Sequence, residues 1–142
     1  VLFGISTIFA LFGVGDMLQG MNADPAIANS ITGVSWEELK RANQAAANLI
    51  DWQVRSGGAQ LFIMAILSMV ICVNGYRRGK RWAWYSFWAW TLLMIFIFLT
   101  FLTADRQPDF PPPPPMISAP VFFVLFVLAL LLPYRRFFPR SS

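Results

Sequence analysis

The sequence predicts an all-α, integral membrane four-helix bundle with an extra external amphipathic helix between spans one and two. Three observations lead there. Hydrophobic residues make up 57% of the 142-residue chain and charged residues only 13%, against the roughly 25% charged usage of soluble domains. The apolar residues gather into four runs, charge-free through their interiors, that suit helical crossings of a hydrocarbon core of about 30 Å. None of the four alternates apolar with polar residues, as the strands of a membrane barrel do.

The four spans are expected at about residues 1–18, 58–74, 82–103 and 117–132, in a single membrane domain covering residues 1–142. Span one is uncharged until Asp16. It begins at Val1, already inside an apolar run and without a basic leader, so it does not read as a signal peptide. A native chain with residues ahead of Val1 is expected. Span two lies between Arg55 and Arg77. Span four opens with Ser118 as a cap and Pro120 in the first turn, where a missing N–H is tolerated. Pro133 either stops this helix or kinks it and lets it continue through Tyr134 to Phe138.

Orientation follows from charge. The net charge is +4, and seven of the eleven basic residues fall in two segments: Arg77, Arg78, Lys80 and Arg81 between spans two and three, and Arg135, Arg136 and Arg140 after span four. All seven acidic residues, Asp16, Asp24, Glu37, Glu38, Asp51, Asp105 and Asp109, fall at the opposite span ends. Four crossings place both basic segments on one side. The positive-inside rule then assigns that side, and both termini, to the cytoplasm of a cell membrane. Trp82, Trp84 and Tyr85 fit an aromatic belt at the same interface. Basic residues that flank apolar runs are a membrane signal, and nucleic acid is not an expected partner.

Between spans one and two, Ser35 and Glu38 match a capping box. An amphipathic helix at about 36–55 is expected to follow. Glu37, Lys40, Arg41, Gln44, Asn48, Asp51 and Arg55 would line its polar side, with Trp36, Leu39, Ala42, Ala46, Leu49 and Ile50 opposite. Leu39, Ala46 and Ile50 should turn inward, and Gly57-Gly58 would permit the turn into span two. Between spans three and four, Phe110 precedes Pro111–Pro115. A proline-rich strap at 108–115 should adopt polyproline II geometry and serve as a stiff spacer or rest on a neighbouring subunit.

Chemistry is sparse. The sequence contains no histidine, which removes imidazole as a ligand for haem, zinc or di-iron and as a general base. Cys72 is the only cysteine, so no disulfide forms within the chain. Gly13, Gly15 and Gly20 lack the spacing of a nucleotide loop, and no Walker pattern, cysteine pair or serine elbow occurs. Glu37 and Glu38, sequence neighbours on a helix, point about 100° apart and cannot share a metal or proton. Asp16 sits at a span end, where a solvated terminus explains it better than an ion relay. No catalytic, metal or cofactor site is expected, and the chain does not read as an enzyme. In span two, Gln60, Met64, Ser68 and Cys72 form one four-residue row, and Gln60, Ser68 and Cys72 are expected to pack against neighbouring helices.

The run from Tyr76 through Arg77, Arg78, Gly79, Lys80, Arg81, Trp82, Ala83 and Trp84 to Tyr85, with Ser35-Trp36-Glu37-Glu38-Leu39 upstream, resembles uncharacterised small bacterial membrane proteins with four helices. The resemblance implies a bacterial source and the four-span layout, and no activity comes with it. The functional expectation is a non-catalytic accessory subunit that packs within a larger membrane complex. Candidate interface residues are Trp52, Trp88, Trp90, Phe110, Pro111, Pro112 and Pro113. Expected partners are membrane lipids and other membrane-protein subunits; lipid, quinone or pigment contact would proceed without histidine ligation. The alternative is a free-standing bundle that holds a lipid or quinone between spans two and three.

Overall fold

The computed structural model describes residues 1–103, 109 and 111–139. Among these the chain is helical, with no strands, and four helices are long and apolar enough to cross a membrane. In chain order the helices are α1 (Leu2–Gln19), α2 (Ala26–Thr32), α3 (Trp36–Ala42), α4 (Gln44–Asn74), α5 (Arg81–Thr103), α6 (Pro114–Leu131) and α7 (Tyr134–Phe137). The spans are α1, α4, α5 and α6. The chain is therefore a multi-pass α-helical membrane bundle, as its composition predicts.

Packing proceeds by pairs, α1 along α4 and α5 along α6. The first pair is held by absence of side chains. A Cβ at Gly13 would lie 2.6 Å from the Phe62 nitrogen and 2.7 Å from the Gly58 carbonyl oxygen. One at Gly58 would lie 2.6 Å from both the Asp16 Cβ and the Met17 nitrogen. Only glycine allows such backbone contact, the small-residue packing that brings membrane helices together. Below it, Leu2, Ile5, Ser6, Phe9 and Ala10 recur every three or four residues as the buried face of α1.

The second pair is held by large side chains. Phe87, Phe126 and Leu130 are almost completely buried, and the Trp90 and Phe126 rings stack at 5.7 Å. The Trp84 Nε1–H donates to the Leu130 carbonyl at 2.9 Å, and the Tyr76 hydroxyl donates to the Ala129 carbonyl. These satisfy two carbonyls that the end of α6 leaves without helical partners. Phe9 joins the pairs, stacking on Trp90 at 4.9 Å and meeting Phe122 at 4.8 Å.

Several sequence expectations need correction. No turn occurs at Gly57-Gly58. The helix break falls at Asn43 (φ −152°, ψ 88°), whose side chain accepts from the Ala46 amide and caps a single 31-residue helix, α4. The expected external helix is therefore the short α3 plus the first turns of span two. Glycine permits a bend without requiring one, and Asn43 supplies the competing side-chain–backbone bond that ends α3. A further helix, α2, was not expected. Span four starts at Pro114 instead of Ile117, because prolines fit a first helical turn whose amides lack partners anyway. Pro120 consequently lies inside the helix, and Pro113, not Ser118, is the capping residue. Pro111–Pro113 remain non-helical, and Pro113 has polyproline II angles (φ −63°, ψ 148°). After Pro133 the chain makes the single helical turn of α7.

Candidate functional site

The molecule has two polar ends, one at the close of α1 and the other at the close of α4 and α6. At the first, α4 runs past the last residue of α1 and carries Asp51 and Arg55 beside it. Arg55 donates to the Met17 and Leu18 carbonyls at 3.2 and 2.6 Å and to the Asp51 carboxylate at 2.7 Å. Asp51 in turn accepts from the Met21 amide at 2.9 Å. The pair thus caps the C-terminus of α1, where a cation is favoured by the exposed carbonyls. Gly20, at φ 58°, makes the turn that brings Met21 into place.

Above this tie lies a second small core of Met21, Ala28, Trp36 and Ala47, against which Ile27, Leu39 and Val54 pack. Trp36 is buried, donates its Nε1–H to Asn22 Oδ1 at 3.0 Å, and has the Lys40 ammonium 5.5 Å over its ring. Asn22, Trp36, Lys40, Asn48, Asp51 and Arg55 surround a small polar recess of about 150 Å³. The capping box is formed: the Ser35 hydroxyl oxygen accepts from the Glu38 amide, and the Glu38 carboxylate accepts from the Ser35 amide at 2.8 Å. Hydrogen bonds from Ser35 hold the Glu38 carboxyl below its ordinary value of 4.5, whereas burial holds Asp24 above its ordinary 3.8.

At the opposite end, the turn after α4 and the short α7 come together. The Arg136 guanidinium donates to the Arg77 carbonyl, and Arg81 Nε donates to the Phe137 carbonyl at 3.1 Å. Phe137 is buried against Tyr76, ring centroids 4.7 Å apart, and Phe138 packs edge-on against Trp84. Two basic segments far apart in the sequence thereby share one end of the bundle.

The expected site residues divide. Ser68 and Cys72 are buried among helices, and Ser68 accepts from Trp90 Nε1. Gln60 does not join them. It is exposed, and the buried positions of α4 are Ala47, Gly58, Ala65, Ser68 and Cys72. A four-residue row drifts about 40° per step on a helix of 3.6 residues per turn, so Gln60 stands about 120° from Cys72. Trp90, expected at an interface, is 3% exposed and belongs to the core, because Phe9, Phe126 and Ser68 surround it. Trp88 is half-buried, Trp52 is 64% exposed, Pro111 and Pro112 are exposed, and Pro113 is buried. Phe110 lies outside the described residues. Ile50, expected inward, is exposed, and Trp36, Ala47 and Val54 turn toward the second core instead. The break at Asn43 resets the helical phase and moves the apolar stripe. Sequence reasoning missed the Gly13–Gly58 contact and the Arg55 cap; the lone Asp51–Arg55 pair at the end of a span was the available signal.

Among the described residues no three cysteine, aspartate or glutamate side chains gather as a metal-ligand group. An open apolar groove of about 430 Å³ runs along the start of α6, lined by Pro112, Pro114, Ile117, Ser118, Val121 and Phe122. Fold and site define an α-helical, multi-pass membrane protein with a small structured cap at one end and a basic cluster at the other. Comparison with known protein families, characterised proteins and solved structures finds no match to this chain.

Proposed function

We propose that the chain is a non-catalytic accessory subunit of a larger complex in a bacterial cell membrane, with both termini in the cytoplasm. The observation that carries this is the length and surface of α4. Its 31 residues extend about 46 Å, against a hydrocarbon core of about 30 Å. The excess projects past the end of α1, and there Leu49 and Trp52 are 62% and 64% exposed. A tryptophan at the span end suits the lipid interface. Leu49, a turn farther out and beside exposed Ile50, is apolar surface beyond the reach of lipid tails, the kind that marks protein contact. This projection is flanked by the turn after α1 and by α3, where Met21 and Trp36 join Ala47 of α4 in the second core. Support for a non-catalytic role comes from the residue types: a sequence without histidine offers few acid–base groups.

Purification of the full chain from native membranes in mild detergent tests the proposal. The expected result is stoichiometric co-migration with other membrane proteins, lost when Leu49→Ser and Ile50→Ser are introduced together. A monodisperse small particle from both versions would refute the subunit role. The alternative of a lipid or quinone between spans two and three gains nothing from the geometry, because the Trp90–Ser68 hydrogen bond and the Phe9 ring occupy that region.

A further inference from the structure

Six basic side chains, Arg77, Arg78, Lys80, Arg81, Arg135 and Arg136, are exposed at the end of the bundle where α4 and α6 close. The fold holds them together through neutral partners. The Arg136 and Arg81 guanidinium groups bond to the Arg77 and Phe137 carbonyls, Arg81 lies 5.2 Å from the Phe138 ring centroid, and the Gly79 turn rests against the Arg136 backbone. Both ion pairs among the described residues, Lys40–Glu37 and Arg55–Asp51, are at the other end. The acidic side chains among the described residues also belong to that other end. Clustered like charge repels itself and raises the local potential for anions. Around the cluster, Trp82, Tyr85 and Tyr134 are 52%, 59% and 46% exposed, and amphipathic rings of this kind settle at headgroup level.

We propose that this end is a binding site for the phosphate headgroups of anionic phospholipids, formed jointly by the α4–α5 turn and α7. The cluster is presented in the plane where headgroups lie, its exposed aromatic rim offers acyl-chain contact beside each cation, and guanidinium groups match phosphate oxygens in pairs. A free phosphate ion would use the cations but not the rim. Near an anionic surface each lysine or arginine is worth about fivefold in binding.

The test uses the full chain in neutral detergent, titrated with phosphatidylglycerol or phosphatidylcholine and followed by native mass spectrometry. The wild type should retain phosphatidylglycerol in preference to phosphatidylcholine. A variant with Arg77→Gln, Arg78→Gln, Lys80→Gln and Arg135→Gln keeps the Arg81 and Arg136 bonds and should bind phosphatidylglycerol about tenfold or more weakly. Lys40→Gln with Arg41→Gln, at the other end, should leave binding unchanged. If the fourfold variant does not purify folded, Arg78→Gln with Arg135→Gln supplies the same comparison, with a loss of about fivefold or more. Equal retention of the two lipids, or undiminished binding by the basic-end variants, overturns the proposal. So does complete displacement of the lipid by millimolar inorganic phosphate, which indicates a free-phosphate site, or preferential capture of a short oligonucleotide.

Discussion

The two helix pairs of this bundle solve the same problem in opposite ways. In α1–α4, Gly13 and Gly58 remove side chains until backbones touch, and the end of the pair is closed by the Asp51–Arg55 cap. In α5–α6, Phe87, Phe126 and Trp90 fill the space, and Trp84 reaches across to bond a backbone carbonyl. Lipid tails are as apolar as these side chains, so neither pair is driven together by the hydrophobic effect within the bilayer. Close fit and buried hydrogen bonds must do it. The glycine pair depends on the former and is intolerant of added atoms; the aromatic pair depends on both and is intolerant of lost ones.

The largest contrast is expected between neighbouring glycines of α4. Gly58→Ala adds a methyl group where backbone and Asp16 lie at 2.6 Å, and should destabilise the fold by about 1–3 kcal/mol through overpacking. Gly57→Ala meets open space and should instead stabilise by up to about 1 kcal/mol through helix propensity. Unfolding of both variants in mixed micelles gives the comparison; equal effects would mean that the glycine contact is not what joins α1 to α4. Next, Trp84→Phe keeps most of the packing but strands the buried Leu130 carbonyl, at a cost of about 1–3 kcal/mol. A smaller loss belongs to Arg55→Gln, about 1 kcal/mol, since its partly exposed ion pair is screened by solvent. Its signature is faster amide exchange at the C-terminus of α1 and at Met21, with α5–α6 unchanged.

The smallest effect concerns pH at the cap. The lowered pKa of Glu38 means that its capping contribution is complete above 4.5 and is lost as pH falls through the folded value. Asp24, raised by burial, has the opposite sign: stability declines as pH climbs from 3.8 through its raised value. Carboxyl-resolved NMR should show Glu38 titrating below 4.5 and Asp24 above 3.8.

The spans were legible because lipid imposes one simple rule, absence of charge over helical length, that each segment obeys alone. The Ser35–Glu38 cap was legible for a similar reason, since both partners lie within one turn. Pair-specific features were not. Whether Gly58 bends or packs depends on Gly13, more than forty residues earlier in the chain. Trp90 looked like surface because its enclosing groups, Phe9, Ser68 and Phe126, come from three other helices. Gln60 was misplaced by extending a four-residue row too far along a helix whose buried face follows a spacing nearer three and a half. The break at Asn43 was hidden because an amide side chain fits the polar stripe of a continuous helix as readily as it caps a new one.

With α1, α4, α5 and α6 each crossing the membrane, the basic turn and α7 lie together on one side and the cap on the other. Single cysteines at Lys40, Lys80 and Arg135 in a Cys72→Ala background, labelled with a membrane-impermeant maleimide on intact cells and again after permeabilisation, test it directly. Lys40 is expected to label in intact cells, with Lys80 and Arg135 labelling only after permeabilisation. Lys80 and Arg135 on different sides of the membrane would contradict the four-crossing account.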